Sequence, residues 1–390
     1  MSLSLELIPY STPLAQAIRT STTVLSTRSG WRLKLSCSER GLSGWGELAC
    51  WPGFGSGLER TRVGVERLLA EPEEALKPLR PLALSETSPM TEQTREALRL
   101  SCAQLGSLEL AHGLELAALD LKARALGCPL GALLSQAGEL ASEAPSHALI
   151  TDLQSAERAL DEGYEALKLK VGARDHWSDD GLLIAELSSR LIDLGSSATL
   201  RLDANQAWSE TEAIGALVTA QAYGAEWVEE PLLGSLTDTR AGGAGWRPWL
   251  ELIERSGATL AADESLQRAS AQEQLELPLI EARLRGALQA GVKVITLKPM
   301  FVGGLLSCSR LARVALNEGA RVCLTHSMEG ALGRRGVAHL SAALIAEGHQ
   351  VEGGLTGGLP RDIMSPLPVQ GGRVQLSEEP GLGVIEEEER

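Results

Sequence analysis

Five apolar runs in the second half of the chain each stop at charged residues, and this repeat constrains the fold more than any other feature of the sequence. The charges at the ends of the runs are Lys168 with Lys170, Asp203, Glu229, Asp263 and Lys298. Strand-forming residues followed by a charge, about once per βα unit, are typical of a parallel (β/α) barrel with an active site on its C-terminal rim. We therefore expect three carboxylates and three lysines to face one another on that rim, as in a metal-assisted enzyme.

The chain of 390 residues is long enough for such a barrel, which needs about 250 residues, together with an accessory domain. From His147 onward the pattern alternates between strand and helix. Eight barrel strands are predicted near 147–151, 166–171, 199–203, 225–229, 258–263, 292–298, 321–326 and 349–352. We place the barrel at 126–365 and the accessory domain at 1–125, with 366–390 returning to it.

The accessory domain is predicted to combine strands and helices. Residues 1 to about 60 alternate in the manner of antiparallel strands, with a turn at Ser29-Gly30. The apolar spacing then becomes helical over 58–126, where Gly127 marks a stop. Alternation returns at 372–377, which predicts that the C-terminal segment pairs with this domain.

Composition argues against several classes of function. The formal charge of −15 disfavours nucleic acid, whose phosphates bind basic surfaces. No run of about 18 uncharged apolar residues occurs, so we expect no membrane span. Residues 1–6 do not resemble a secretory signal, which favours a cytoplasmic enzyme. The six cysteines lack a C-x-x-C pair, which argues against a zinc site and a disulfide framework.

The strand-end charges indicate which ion and which catalytic groups the rim carries. Hard oxygen ligands with no His or Cys among them suit Mg²⁺ or Mn²⁺ and not zinc. Lys170 and Lys298, from the preceding and the following strand, would flank the ion as base and acid. A lysine can be the base if a neighbouring cation lowers its pKa, and Lys168 is placed to do so. The predicted metal ligands are Asp203, Glu229 and Asp263.

Three motifs carry a family resemblance: Lys168-Leu169-Lys170, the strand-end carboxylates, and Lys298 followed by Val302-Gly303-Gly304. Together they resemble the enolase superfamily, in its muconate-lactonizing-enzyme-like subgroup. The resemblance implies an α/β fold, a TIM-like (β/α)7β barrel with an α+β N-terminal capping domain that the C-terminal segment completes. Gly44-Trp45-Gly46-Glu47, with Trp51-Pro52-Gly53-Phe54 after it, is similar to the cap loop that closes over the substrate in this family.

Four segments, the cap loop, Leu297-Lys298-Pro299, 327–333 and 380–383, are most similar to the o-succinylbenzoate synthase family within that subgroup. This resemblance implies a Mg²⁺-dependent carbon–oxygen lyase of menaquinone biosynthesis, which dehydrates a small-molecule carboxylate through an enediolate. Lys170 would remove the proton α to the carboxylate and return it to the departing hydroxyl, while Lys298 would act as a fixed cation. Barrels of this family are often homo-oligomers.

Further side chains are candidates for supporting roles. Asn205 and Glu264 would orient their neighbours by hydrogen bonds. Gly303-Gly304 would either present amides to a substrate carboxylate or only form the βα turn. His326 stands where the family more often has serine, so it is either a substrate contact or a family variation. The candidate substrate contacts are Arg19, Ser21, Phe54, Gly303, Gly304, His326, Ser327 and Glu329.

Two other functions are compatible with the sequence. The same two lysines could move a proton across the α-carbon of an N-succinyl or other N-acyl amino acid, as in a racemase. A barrel that has lost catalysis could act as a scaffold, although that hypothesis predicts a broken ligand set or a missing lysine. A dipeptide epimerase is disfavoured, because 351–358 lacks the Asp-x-Asp that would hold the ammonium group of a peptide.

Overall fold

The first part of the chain forms a three-stranded antiparallel sheet. The computed structural model describes residues 2–19, 24–52, 54–81, 90–174, 176–234, 244–268, 276–356 and 367–383. The strands of the sheet are β1 (Leu3–Arg19), β2 (Val24–Cys37) and β3 (Leu42–Leu48), in that order. The turn predicted at Ser29-Gly30 is wrong, because β2 runs through both residues and pairs with β1 there. Gly30 suits this strand, since a Cβ would collide with the carbonyl oxygen of Leu48.

Helices follow the sheet, as the apolar spacing predicts. They are α1 (Leu58–Ala70), α2 (Pro72–Leu76), α3 (Glu92–Ala103), α4 (Leu108–Leu126) and α5 (Leu130–Leu134). The predicted stop is confirmed, because α4 ends at Gly127 in the left-handed conformation, with φ of 67°. β3 packs closely on α4, since the Cβ positions of Gly44 and Gly46 are filled by the α4 backbone. The first half of the predicted cap loop is therefore a strand.

An eight-stranded parallel sheet follows and curls into a nearly closed barrel, in which neighbours follow chain order. Its strands are β5 (Ala148–Ile150), β6 (Ala166–Lys170), β7 (Thr199–Asp203), β8 (Trp227–Glu229), β9 (Leu260–Ala262), β10 (Val294–Leu297), β11 (Arg321–Thr325) and β12 (Val351–Gly354). Between the first and last strands, the His147 amide donates to the Gly353 carbonyl at 2.8 Å. The predicted α/β barrel fold is confirmed.

Helices connect the barrel strands along the chain. They are α6 (Leu153–Asp161), α7 (Trp177–Asp193), α8 (Glu210–Ala222), α9 (Arg247–Ser256), α10 (Glu264–Gln267), α11 (Leu277–Gln289), α12 (Leu305–Asn317) and α13 (Ala331–Ala346). In the part of the chain that the structure describes, no helix is both long and apolar enough to cross a membrane.

The C-terminal segment pairs with a short strand that precedes the barrel and also contacts α4. β4 (Glu143–Pro145), β13 (Val369–Gln370) and β14 (Arg373–Gln375) form a small sheet in the order β13-β14-β4. Its strand partner β4 lies just beyond the predicted boundary at residue 125. The segment does reach α4, where the Leu382 amide donates to Asp120 Oδ1 at 2.7 Å. The domain division itself stays a prediction.

Helix α4 is buried along most of its length, including its carboxylates. Buried carboxylates need hydrogen-bond donors, and here backbone amides from distant segments supply them. The pairs are Ser56 N with Glu109 Oε1 at 3.0 Å, Leu306 N with Glu115 Oε1 at 3.0 Å, and Trp45 N with Asp120 Oδ2 at 2.8 Å. α4 thereby joins the N-terminal sheet and the segment after it to the barrel.

Candidate active site

Three carboxylates lie at the C-terminal ends of adjacent barrel strands. Asp203 is the last residue of β7 and pairs in register with Glu229, the last residue of β8. Asp263 follows β9 directly. All three side chains are almost inaccessible to solvent. The strands therefore place the three metal ligands that the sequence predicts at neighbouring strand ends, on one side of the rim.

Lys168 and Lys170 approach these carboxylates from β6. Lys168 Nζ lies 2.9 Å from Asp203 Oδ2 and 2.8 Å from Glu229 Oε1. Burial lowers the pKa of Lys168, but attraction to the two carboxylates outweighs burial and raises that pKa well above its ordinary value. Lys168 thus carries a paired charge, which weakens the predicted repulsion between it and Lys170. Lys170 pairs in register with Asp203 and is exposed at the open end of the barrel.

Lys298 approaches from the opposite side, directly after β10. Its ammonium forms an ion pair with Asp263 and lies 4.6 Å from the centroid of the Phe54 ring. Burial lowers the pKa of Lys298, and the neighbouring carboxylates, Asp263 first, more than offset this and raise it. In strand order, the carboxylates on β7, β8 and β9 thus lie between lysines on β6 and β10.

Electrostatic crowding shapes the protonation of the carboxylates. Burial, together with repulsion from its neighbours, raises the pKa of Glu229 to about 7 and that of Glu264 to about 7. Burial acts in the same direction on Asp203, but Lys168 and Lys170 outweigh it and lower the pKa of that carboxyl. The site therefore favours additional positive charge among its carboxylates.

The residues fit a hard divalent cation by their chemistry. The donors at the three strand ends are carboxylate oxygens, and Glu264 Oε2 is buried with no hydrogen-bond partner among the described residues. Asn205 connects two of these carboxylates. Its backbone N–H donates to Asp203 Oδ1 and its side-chain Nδ2 donates to Glu264 Oε1, both at 3.1 Å. Within the described ranges, no three Asp, Glu, His or Cys side chains are grouped closely enough to hold an ion as they stand. Instead, the ammonium group of Lys168 contacts Asp203 and Glu229. That of Lys298 contacts Asp263.

Sequence comparison assigns the chain to a family. Residues 152–389, more than half of the chain, match the family model described as Enolase C-terminal domain-like. The chain belongs to the enolase superfamily. Two similar relatives are the o-succinylbenzoate synthases of Yersinia pseudotuberculosis serotype I (strain IP32953) and Yersinia pestis (strain Pestoides F). Each is 30% identical over 336 residues, which cover 86% of this chain and 85% of the relative.

Solved structures show the same superfamily fold. Muconate lactonizing enzyme from Pseudomonas putida has a TM-score of 0.74 at 22% identity, covering 98% of this chain and 96% of its own. The L-Ala-D/L-Glu epimerase from Bacillus subtilis has a TM-score of 0.73 at 21% identity, covering 98% of each chain. These similarities extend the superfamily fold to nearly the whole chain, including the part before the barrel.

In this enolase-superfamily chain the segment after β3 lies over the rim. The ring of Phe54 stacks on that of Phe301, with centroids 4.9 Å apart, and also covers the ammonium of Lys298. The buried guanidinium of Arg28, on β2, connects this segment to the residues that follow β11, the seventh strand of the barrel. Its carbonyl acceptors are those of Ala49, Cys50, Ser327 and Met328. Phe54 is therefore placed at the site, as the sequence predicts for a substrate contact.

The residues that follow β11 form hydrogen bonds with one another. Met328 N donates to His326 Nδ1 at 3.1 Å, and His326 Nε2 lies 3.0 Å from the Thr356 carbonyl oxygen. Glu329 accepts from the amide of Ser327 at 2.7 Å and from its hydroxyl at 3.1 Å. Both nitrogens of His326 are thus engaged with backbone groups. The substrate contacts predicted for His326, Ser327 and Glu329 stay predictions.

Gly303 and Gly304 form the tight turn into α12. Their φ angles of 88° and 132° favour glycine. The helix end is already occupied, because Glu115 accepts the Leu306 amide and its carboxylate fills the space that a Cβ on Gly304 would need. This arrangement favours the turn over the presentation of amides to a substrate.

Two of the predicted substrate contacts cannot be placed. The side chain of Arg19 and the whole of Ser21 lie outside the described residues.

Sequence reasoning missed three side chains that contact the charged groups of the candidate site or the segment over them. Thr296 Oγ1 donates to Glu229 Oε2 at 3.2 Å, and its place two residues before Lys298 on the same strand face was a usable signal. Gln267 hydrogen-bonds Asp263 and the backbone of Lys298. For Gln267 and Arg28, no periodicity or motif in the sequence indicates these contacts.

Proposed function

We propose that this enolase-superfamily chain is a Mg²⁺-dependent dehydratase of the o-succinylbenzoate synthase type, acting in menaquinone biosynthesis. The observation that carries the proposal is the line of three buried carboxylates on β7, β8 and β9 between lysines on β6 and β10. The choice of reaction is supported by the Yersinia o-succinylbenzoate synthases, which match 86% of the chain. Superfamily sites generally use a Lys or His base with Mg²⁺.

The chain's own residues divide the chemistry between two sides of the substrate. Lys170, exposed at the open end of β6, would take the proton α to the substrate carboxylate and deliver it to the departing hydroxyl, so that water leaves. Lys298 would hold a fixed positive charge against the negative charge that forms on the carboxylate. Mg²⁺ bound by Asp203, Glu229 and Asp263 would supply further positive charge there.

The covering segment would complete the site from above. Phe54 and Phe301 stack beside the Lys298 ammonium, so they would shield this end of the substrate from water. Lower exposure to water strengthens the interaction between a fixed cation and a developing anion. The buried Arg28 clamp would keep this cover in place over the rim.

The test is a spectrophotometric assay on a hydroxylated cyclohexadiene carboxylate that carries a succinyl arm. Purified protein in Mg²⁺ should remove the diene absorbance rapidly, and a strong chelator should stop the reaction. Lys170→Ala is the matched control, because it removes the proposed base and leaves the three carboxylates in place.

Failure to consume this substrate while a divalent ion is bound would contradict the proposal. Racemisation of N-succinyl amino acids without dehydration would replace it with the racemase hypothesis. An unchanged melting temperature in millimolar Mg²⁺, together with no turnover, would favour the scaffold.

A further inference from the structure

Gln267, the last residue of α10, makes four side-chain hydrogen bonds inside the active-site rim, one of which runs from Nε2 to the Asp263 carbonyl at 3.4 Å. Its side chain is fully buried. Nε2 donates to Asp263 Oδ1 at 2.8 Å and to the Thr296 carbonyl at 3.1 Å. Oε1 accepts the backbone amide of Lys298 at 2.8 Å. One side chain thus contacts a proposed metal ligand and the backbone of a proposed catalytic lysine.

These contacts need a primary amide of this length. A carboxylate would place an oxygen against Asp263 Oδ1 and the Thr296 carbonyl, and both of those atoms can only accept. An aliphatic side chain would leave the Lys298 amide and two acceptors without partners in a buried setting, which is costly. The pattern of two donors and one acceptor is therefore matched to glutamine.

Gln267 also bridges a gap in the barrel sheet. The parallel ladder between β9 and β10 pairs Ala261 with Val294 and Ala262 with Ile295, and it ends there. Asp263 and Lys298 lie beyond the last paired residues. The strand ladder no longer fixes the separation of the two strand ends here. The Gln267 side chain joins them, together with the Asp263–Lys298 ion pair.

The same residue contacts the segment that covers the rim. The carbonyl of Gln267 accepts the amide of Gly55 at 3.1 Å. Gly55 follows Phe54, whose ring lies over the Lys298 ammonium. The side chain of Gln267 therefore contacts both residues of the Asp263–Lys298 ion pair, and its backbone contacts the segment that covers this pair.

We propose that Gln267 is a positioning residue that holds Asp263 and Lys298 in their productive relation. The roles of these two residues rest on the function proposed above. Loss of the Gln267 amide should disorient Asp263 as a metal ligand and displace Lys298 relative to the substrate. Partners of ligating groups typically change metal affinity or activity by about 10–100-fold when they are removed.

The test compares Gln267→Leu with the wild-type protein in metal binding and in turnover. Mn²⁺ affinity from calorimetric titration should fall about 10-fold, and kcat at saturating Mg²⁺ should fall about 10–100-fold. KM for the substrate should change little, because the lost interaction acts on the transition state. Gln267→Asn, one methylene shorter, should show the same split if the leucine variant folds poorly.

Arg283→Lys is the control for general loosening of the same segment. Arg283 is buried and donates to the carbonyls of Leu266 and Arg268, but none of its described contacts is with Asp263 or Lys298. The control should lower the melting temperature and leave Mn²⁺ affinity unchanged. Equal losses of affinity in the Gln267 and Arg283 variants, or no loss in either, would overturn the proposal.

Failure of the proposed function is distinguishable from failure of this inference. If the wild-type protein does not dehydrate the substrate, the Mn²⁺ titrations still decide the role of Gln267. Weaker binding in the Gln267 variants alone would support the positioning of Asp263, whereas equal affinity in all variants would refute it.

Discussion

Glu115, on the buried helix α4, should make the stability of this protein depend on pH in the neutral range. Its side chain is fully buried, Oε1 accepts the Leu306 amide, and Oε2 has no hydrogen-bond partner in the part of the chain that the structure describes. Burial raises the pKa of Glu115 from 4.5 to about 8, although the amides at the start of α12 act against this. Removing the charge by Glu115→Gln should therefore remove a pH-dependent cost.

The sign and size of this change in the free energy of unfolding with pH follow from the linkage between proton binding and folding. Because the folded pKa is raised, the stabilisation from the protonated form is complete below pH 4.5 and is lost as pH rises to about 8. Each pH unit within that window costs about 1.4 kcal/mol. Two units lie between pH 6 and pH 8, so the wild-type protein should lose about 3 kcal/mol relative to Glu115→Gln when pH rises from 6 to 9.

The assay is urea denaturation of both proteins at pH 6 and at pH 9. The side-chain amide that Glu115→Gln introduces has its own buried-group penalty, but this penalty does not change with pH and cancels in the comparison of the two pH values. Glu109→Gln is the matched control on the same helix. Burial also raises the pKa of Glu109, but this carboxylate accepts from the amides of Ser56 and Gly57 and from the hydroxyl of Ser107, so the stability of Glu109→Gln relative to wild type should change less between the two pH values.

One result would refute the reasoning about Glu115. If the free energies of unfolding of wild type and Glu115→Gln changed in parallel between pH 6 and pH 9, the carboxyl would not titrate there. Burial without a second hydrogen-bond partner would then not be the dominant influence on this group.

Three further predictions concern the site and its cover. Lys170→Ala and Lys298→Ala should each lower kcat by about 10²–10⁴-fold, and substantial turnover in either variant would rule out the two-lysine mechanism. Because the Lys170 side chain is exposed, Lys170→Ala should also keep the melting temperature close to wild type. Glu229→Gln should raise the half-saturating Mg²⁺ concentration at least about 10-fold, which a metal titration of activity measures; unchanged metal dependence would remove Glu229 from the ligand set. Arg28→Met should raise KM and lower the free energy of unfolding by about 3 kcal/mol, because buried carbonyls on both sides of the clamp lose a charged donor; an unchanged KM would show that the clamp does not support substrate binding.

Local sequence patterns predicted the barrel well. Each strand prediction lies within two residues of an observed strand, as for 199–203 and Thr199–Asp203. The reason is physical, because strands buried on both faces must be short apolar runs, and a charge can follow only where the run reaches the rim. The same rule located the carboxylates and lysines of the candidate site.

Contacts between distant segments were not accessible to such reasoning. Glu109 and Glu115 look like ordinary helix charges in the sequence, and only the fold brings the amides of residues 56 and 306 to them. Gln267 follows no strand, so no periodicity marks it. The turn expected at Ser29-Gly30 failed because the glycine serves a close approach of strands within the sheet and not a change of direction.

The carboxylates of α4 have a consequence for the construction of chimaeric enzymes. Exchange of capping domains between relatives is a direct way to seek new substrate specificity, and a junction near residue 125 would separate α4 from the barrel that evolved with it. Such a graft would pair the Leu306 amide of one parent with a foreign helix in place of Glu115. Junctions placed before Ser107 keep Glu115 and the start of α12 from a single parent, but they divide Glu109 and Asp120 from the amides of Ser56 and Trp45, which the grafted segment would have to match.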